Sequence, residues 1–158
     1  MAGEAVITNL TEERVDVFIG LVGEYLAEKS EIEPDFTPAP DWQGSARDFY
    51  LAEMKRNDLF IRLITWEDKP FGFAISSVTD APFFKTRRIG YISNVFVIKE
   101  VRSFGFGTAL IEDALKILEN NGAVTVQLNA LVLNEKTKKF WERFGFKDYM
   151  VRMKRGRD

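Results

Sequence analysis

Seven residues, Arg102-Ser103-Phe104-Gly105-Phe106-Gly107-Thr108, stand between an apolar run with strand character and the most regular helical stripe of the chain. The run is residues 91–98; the stripe is Leu110, Ile111, Ala114, Leu115 and Leu118, with Asn121-Gly122 as its stop. Glycines let a backbone approach a ligand closely, and the free N–H groups at a helix start suit phosphate oxygens. Arg102 is placed to add a charge-assisted bond. A P-loop would need Gly-Lys-Ser/Thr after a four-residue gap, which is missing, and a dinucleotide fingerprint would need a third glycine where Leu110 stands. A plain strand-to-helix turn that needs two glycines accounts for the loop as well.

The rest of the chain reads as alternating elements. Residues 5–8 suit a short strand. A first helix follows Asn9-Leu10-Thr11, with Glu12 and Glu13 in its first turn and Val15, Phe18, Ile19, Val22, Tyr25 and Leu26 as its stripe, ending near Ser30. Pro34, Pro38 and Pro40 make 31–41 a loop. A second helical region begins near Ser45 and ends before Asn57-Asp58. Runs 59–66 and 71–78 form an expected antiparallel hairpin around the turn 67–70, and 80–87 connects to the strand 91–98. After the 106–121 helix come a strand at 124–128, a helix at 135–144 and a final strand at 147–153. The order β, α, α, three strands, α, β, α, β describes one α/β domain over 1–158.

Composition narrows the chemistry. The chain has no cysteine and no histidine, so thiolate and Ser-His nucleophiles and most zinc sites are excluded. No carboxylate run with a suitable turn points to another metal. Fourteen Phe residues supply a large core, and a net charge of −2 offers no general attraction to nucleic acid or anionic membrane. The basic residues Arg152, Lys154, Arg155 and Arg157 with Lys136, Lys138 and Lys139 read as a solvated terminus and an outer helix face. No basic region followed by an apolar stretch opens the sequence, and no apolar run is long enough for a membrane span, so a cytoplasmic protein is expected.

The loop resembles the defining segment of the GNAT superfamily of acyl-CoA N-acyltransferases, Arg/Gln-x-x-Gly-x-Gly/Ala, at Arg102, Gly105 and Gly107. The similarity runs over residues 89–153: a Val-Phe-Val strand, the loop and its helix, a strand, Asn134, and then Phe140-Trp141-Glu142-Arg143-Phe144-Gly145-Phe146, which is similar to the family's Phe-Tyr-Glu-x-x-Gly-Phe segment. This resemblance implies a mixed, mostly antiparallel central sheet flanked by helices, the acyl-CoA N-acyltransferase fold. It also implies an acceptor-side half over 1–88 and a CoA-binding half over 89–158.

The implied co-substrate is acetyl-CoA, without a metal. Backbone groups of Phe96 and Val97 would pair with its pantetheine arm like an added strand, and N–H groups of Arg102, Ser103, Phe104, Gly105, Phe106, Gly107 and Thr108 would hold its pyrophosphate. Asn134 would bond the arm from the other side, a role compatible with capping the helix that begins at Glu135. Trp141, expected among the cofactor-binding residues, falls where many members carry a thiolate-protonating tyrosine; indole is no practical proton source, and a core role on the Phe144 face is its alternative. Ser93 and Asn94 are neutral where members often carry acids, so the catalytic residues stay unknown. Ser93, Asn94 and Tyr149 are weak candidates, with Tyr91 a second tyrosine and a water chain to Asp80 or Glu100 another route. The implied activity is direct acetyl transfer to a primary amine of a small molecule or protein; a silent acyl-CoA sensor is the alternative. Amine acceptors are the expected partners, a homodimer is allowed, and nucleic acid and membrane are not expected. Glu28, Glu31, Glu33, Asp35 and Asp41, in the region that borders the family's acceptor groove, would attract a cationic amine or merely solvate their loop.

Overall fold

Glu67 and Asp68 both carry positive φ, 48° and 66°, the pair of left-handed positions that a tight two-residue hairpin turn requires. They join β2 (Leu59–Trp66) to β3 (Lys69–Ala81), so the turn is shorter than the sequence suggests and Lys69 and Pro70 belong to the strand. Pro70 faces Thr65 where the register slips, the next pair being Gly72 with Ile64. A bulge is one of the few places a strand accepts proline, which has no N–H to give the ladder. β3 returns through residues 82–86 into β4 (Arg87–Val97), and pairing continues out to Ala81 and Arg87, lengthening both strands beyond the expected limits.

The structure, a computed structural model, describes residues 4–131 and 134–156. It forms two compact units, Met1–Leu128 and Asn129–Asp158. In the first, β1 (Val6–Asn9) adds antiparallel to β2, and β5 (Thr125–Leu128) adds parallel to β4, giving the spatial order β1-β2-β3-β4-β5. The sheet is therefore mixed and mostly antiparallel, the class expected.

Alternation along the strands divides the core into two faces. Leu63, Phe73, Ile75 and Phe96 pack with Val15, Phe18, Ile19, Leu21 and Val22 of α1 (Val15–Ile32), and Ile64, Phe71, Ala74 and Val97 pack with Leu110 of α3 (Phe106–Asn120). β3 is covered on both sides, which is why its run Phe71-Gly-Phe-Ala-Ile-Ser76 is buried throughout. Phe18 meets Phe73 edge to face at 5.1 Å and Tyr50 at 4.9 Å; each fully buried ring contributes about 1.5–3 kcal/mol. Arg62 of β2 adds a polar tie, donating to both carboxylate oxygens of Asp113 on α3 (2.8 and 3.0 Å) and to Asn9 Oδ1 of β1 (2.8 Å). α1 starts after a 3-10 turn at Glu12–Arg14 and runs two residues past Ser30. α2 (Trp42–Glu53) starts three residues before Ser45, because Asp41, at φ 56°, already turns the chain into it.

In the second unit, α4 (Glu135–Glu142) is capped by Asn134, whose Oδ1 accepts from Thr137 N–H at 3.2 Å, and it ends before Gly145 at φ 85°. The final strand expected over 147–153 is absent. Those residues have no ladder partner, and Tyr149, Met150, Val151 and Met153 are exposed. Alternating apolar residues favour an extended backbone, but only a neighbouring strand's peptide groups turn it into sheet. Among the described residues, no helix is long and apolar enough to cross a membrane, and no three acidic side chains converge on a metal position.

Candidate functional site

β4 is much longer than β5. The parallel partner covers only Ile89–Ile92, so from Ser93 onward β4 runs on without it. At that point β4 also bulges: Ile75 faces Asn94 and Ser76 faces Ile92, leaving Ser93 as the extra residue. Ser93 Oγ donates to the carbonyl of Ile75 at 3.1 Å. The serine thus satisfies an acceptor on the strand it interrupts, and bulges bend the bulged strand.

Beyond the bulge, the register determines which peptide groups face outward. Ile98 N–H donates to Phe71 O at 2.9 Å while Gly72 faces Val97. Gly72 and Val97 therefore form a non-hydrogen-bonded pair, and the N–H and C=O of Val97, and by alternation those of Val95, point away from β3. Phe96 directs its own peptide groups toward β3 and its ring into the core, 6.0 Å from Tyr25 and 5.8 Å from Phe73. Of the two residues expected to pair with an extended ligand, Val97 has the outward geometry, and Val95 shares it.

A 3-10 turn at Lys99–Val101 leads to the loop. Ser103 (φ 72°) and Gly105 (φ 87°) take left-handed conformations on either side of Phe104, a bend that brings the chain directly into α3. For serine this conformation costs about 1 kcal/mol or more. No side chain caps α3, so the N–H groups of Phe106, Gly107 and Thr108, which a helix's first turn leaves without intrahelical acceptors, are open at its positive end. An added Cβ at Gly105 would meet nothing within 4 Å, so the loop is open on that side. Phe106 is anchored edge to face on Phe71 at 4.6 Å, and Phe104 stands mostly exposed. Donors, space and dipole all fit the pyrophosphate of coenzyme A.

Arg102 is used differently from the sequence expectation. Its Nε donates to Val97 O at 2.9 Å, its Nη2 reaches both oxygens of Glu28 at 2.7 and 2.8 Å, and its guanidinium lies 5.5 Å from the centre of the Phe96 ring. Other members of the acidic group also have internal partners: Glu33 accepts from Asp35 N–H at 3.2 Å. Lys29 donates to Tyr25 Oη at 2.5 Å and lies over the Phe36 ring. Tyr50, on α2, has its phenol pushed above the ordinary range by burial, with smaller contributions from Tyr25 and Glu53.

Phe96, Val97 and the loop Arg102–Thr108 are thus brought together in the first unit, with Ser93 and Asn94 just upstream on the same strand. Asn134, Trp141 and Tyr149 belong to the second. There Asn134 caps α4, Trp141 is buried among Phe140, Phe144 and Phe146 at ring separations of 5.7, 6.5 and 5.5 Å, and Tyr149 is exposed.

A strand that outruns its parallel neighbour and leads through a glycine-bent loop to an uncapped helix, within a mixed sheet flanked by helices, is the arrangement that the resemblance to acyl-CoA N-acyltransferases implies. The chain belongs to the Acetyltransferase (GNAT) family, whose profile matches residues 25–146. It is similar to an uncharacterized N-acetyltransferase of Methanocaldococcus jannaschii, 27% identical over 145 residues, 92% of this chain and 62% of that protein. The chain therefore spans less than two thirds of that relative's length. Its fold is shared by the crystallised tetramutant of the BH1408 protein from Bacillus halodurans (TM-score 0.84, 16% identity, 96% of this chain and 99% of the other). It is also shared by the aminoglycoside N-acetyltransferase AAC(6')-Iy in complex with CoA (TM-score 0.77, 15% identity, 100% and 98% coverage).

Proposed function

We propose that this chain is an N-acetyltransferase that moves the acetyl group of acetyl-CoA directly to a primary amine of a small molecule or protein. The observation that carries the reading is the continuity between the outward N–H groups of Val95 and Val97, with the carbonyl of Val95, and the uncapped start of α3. The first can add an extended amide-bearing arm as a further strand, and the second can hold its pyrophosphate. Family membership and the CoA complex of a fold neighbour support the same ligand. That neighbour's acceptor class, aminoglycosides, fits a cationic amine acceptor here.

Acetyl-CoA supplies the activated thioester. The amine nitrogen attacks the carbonyl carbon, the carbon–sulfur bond breaks, the amine loses a proton and the departing thiolate gains one. The chain's contribution is orientation by β4 and the loop, with outward N–H groups of the bulged strand positioned to stabilise the developing oxyanion. Ser93 already donates its hydroxyl proton to Ile75 O and presents lone pairs only, and Asn94 is neutral. The same neutrality favours the second reading, an acyl-CoA-binding domain without turnover.

Acetyl-CoA should raise the melting temperature of the wild type, and Gly105→Glu should abolish the effect, since a carboxylate at an already left-handed position would stand where the pyrophosphate binds. Equal affinity in both proteins would overturn the loop assignment. Thiol release with polyamines, aminoglycosides, amino acids and peptides separates the two readings: binding without release in every case would favour the silent domain.

A further inference from the structure

The cation at the start of the phosphate-binding loop is neutralised from the far side of the sequence. Glu28 is 74 residues before Arg102, near the end of α1, and gives both carboxylate oxygens to one nitrogen, Nη2. The two side chains are 45% and 41% exposed, so water and salt reach the pair and it adds little to folding. Arg102 does not depend on it for position. Nε bonds Val97 O and the guanidinium lies over Phe96, two contacts that do not involve Glu28. The carboxylate nevertheless occupies the donor that an incoming anion would use, beside a loop whose open N–H groups call for one.

We propose that Glu28 sets cofactor affinity by competing with the pyrophosphate of coenzyme A for Nη2 of Arg102. The inference rests on the acyl-CoA reading given above and deepens it. The pyrophosphate is remote from the reacting thioester and is common to acetyl-CoA and to CoA. The competition therefore weakens substrate and product alike, a uniform binding effect that acts on KM and on product release and leaves the chemical step alone. A chain that lacked Glu28 would hold its product longer.

The test is titration calorimetry of wild type, Glu28→Gln and Glu28→Ala with CoA and with pantetheine, at 50 mM and 1 M salt, after confirming that each variant melts cooperatively. Removing the competing unit charge should tighten CoA binding about fivefold at low salt, the effect of about 1 kcal/mol that two unit charges about 4 Å apart exert in water. The gain should nearly vanish at 1 M, where the screening length is about 3 Å. Pantetheine, which carries no pyrophosphate, should bind all three proteins equally. In steady state, KM for acetyl-CoA should fall in both variants without a rise in kcat. Wild-type binding with unchanged or weaker CoA affinity in the variants, or an equal gain for pantetheine, would overturn the competition and leave the pair a structural tie. A wild type that binds no CoA would instead overturn the acyl-CoA reading itself.

Discussion

Gly72→Ala is a one-carbon change at the contact that fixes the outward register of β4. A Cβ built there would lie 2.7 Å from Phe96 O, 3.0 Å from Ile64 Cγ2 and 3.2 Å from Val97 Cγ2. The first neighbour is backbone and is held in the β3–β4 ladder, so the strands themselves must separate by several tenths of an ångström. Overpacking of this kind costs about 1–3 kcal/mol, and for a chain of this size each kcal/mol lowers the melting temperature by about 2–4 °C, giving a drop of about 2–12 °C. Gly20→Ala is the matched control: it lies in mid-α1, exposed, with nothing within 4 Å of the added carbon. Alanine should stabilise that helix by about 1 kcal/mol. Differential scanning calorimetry on both variants should show shifts of opposite sign. If Gly72→Ala melts within about a degree of wild type, the close approach at Phe96 is wrong, and with it the assignment of Val95 and Val97 as the outward pair.

Leu110 is fully buried against Ile64, Phe71, Ala74 and Val97, so Leu110→Ala should lose about 2–5 kcal/mol in urea unfolding; less than about 1 would mean that α3 is not docked on this face. Burial raises the Tyr50 phenol above 10.0 in the folded chain, so folding favours its protonated form. That contribution is fully present below the unfolded pKa and is lost as pH rises through the folded one. Tyr50→Phe should flatten the alkaline decline of stability between wild type and variant, and parallel profiles above pH 10 would refute the assignment. Trp141→Phe keeps an aromatic ring in the cluster with Phe140, Phe144 and Phe146 and should retain transferase activity to within about a hundredfold; a larger loss would show that the indole N–H takes part in proton transfer.

The parts of the fold that were legible in the sequence are those written in local pattern. The stripe of Leu110, Ile111, Ala114 and Leu118 located α3 to within a residue of its ends, and Gly105 marked a left-handed position that few other residues accept. The hairpin turn after Trp66 was legible, but its two-residue Glu67-Asp68 form was not, because neither residue is the glycine or asparagine that normally signals it. The Ser93 bulge was hidden because an extra strand residue alters no composition. The Glu28–Arg102 bond joins positions 74 apart, and nothing in either neighbourhood indicates the other. The segment 147–153 erred the opposite way, since its alternation describes what a strand would look like and says nothing of a partner.

In this sheet, spatial order equals chain order, from β1 to β5, and that has a bearing on how the chain reaches its fold. The β2–β3–β4 meander is closed by short turns at 67–68 and 82–86, so its pairings cost little loop entropy and can form early. β1 must find β2 across some fifty intervening residues that include α1 and α2, and β5 must find β4 across the loop and α3. A nucleus in the meander, with the two outer strands docking late, is the sequence of events this topology favours. Substitutions within β3 should then slow folding, whereas those in β1 or β5 should mainly speed unfolding. The bulged stretch of β4, proposed above to pair with the cofactor, would be set in place with the meander, before the last strand arrives beside it.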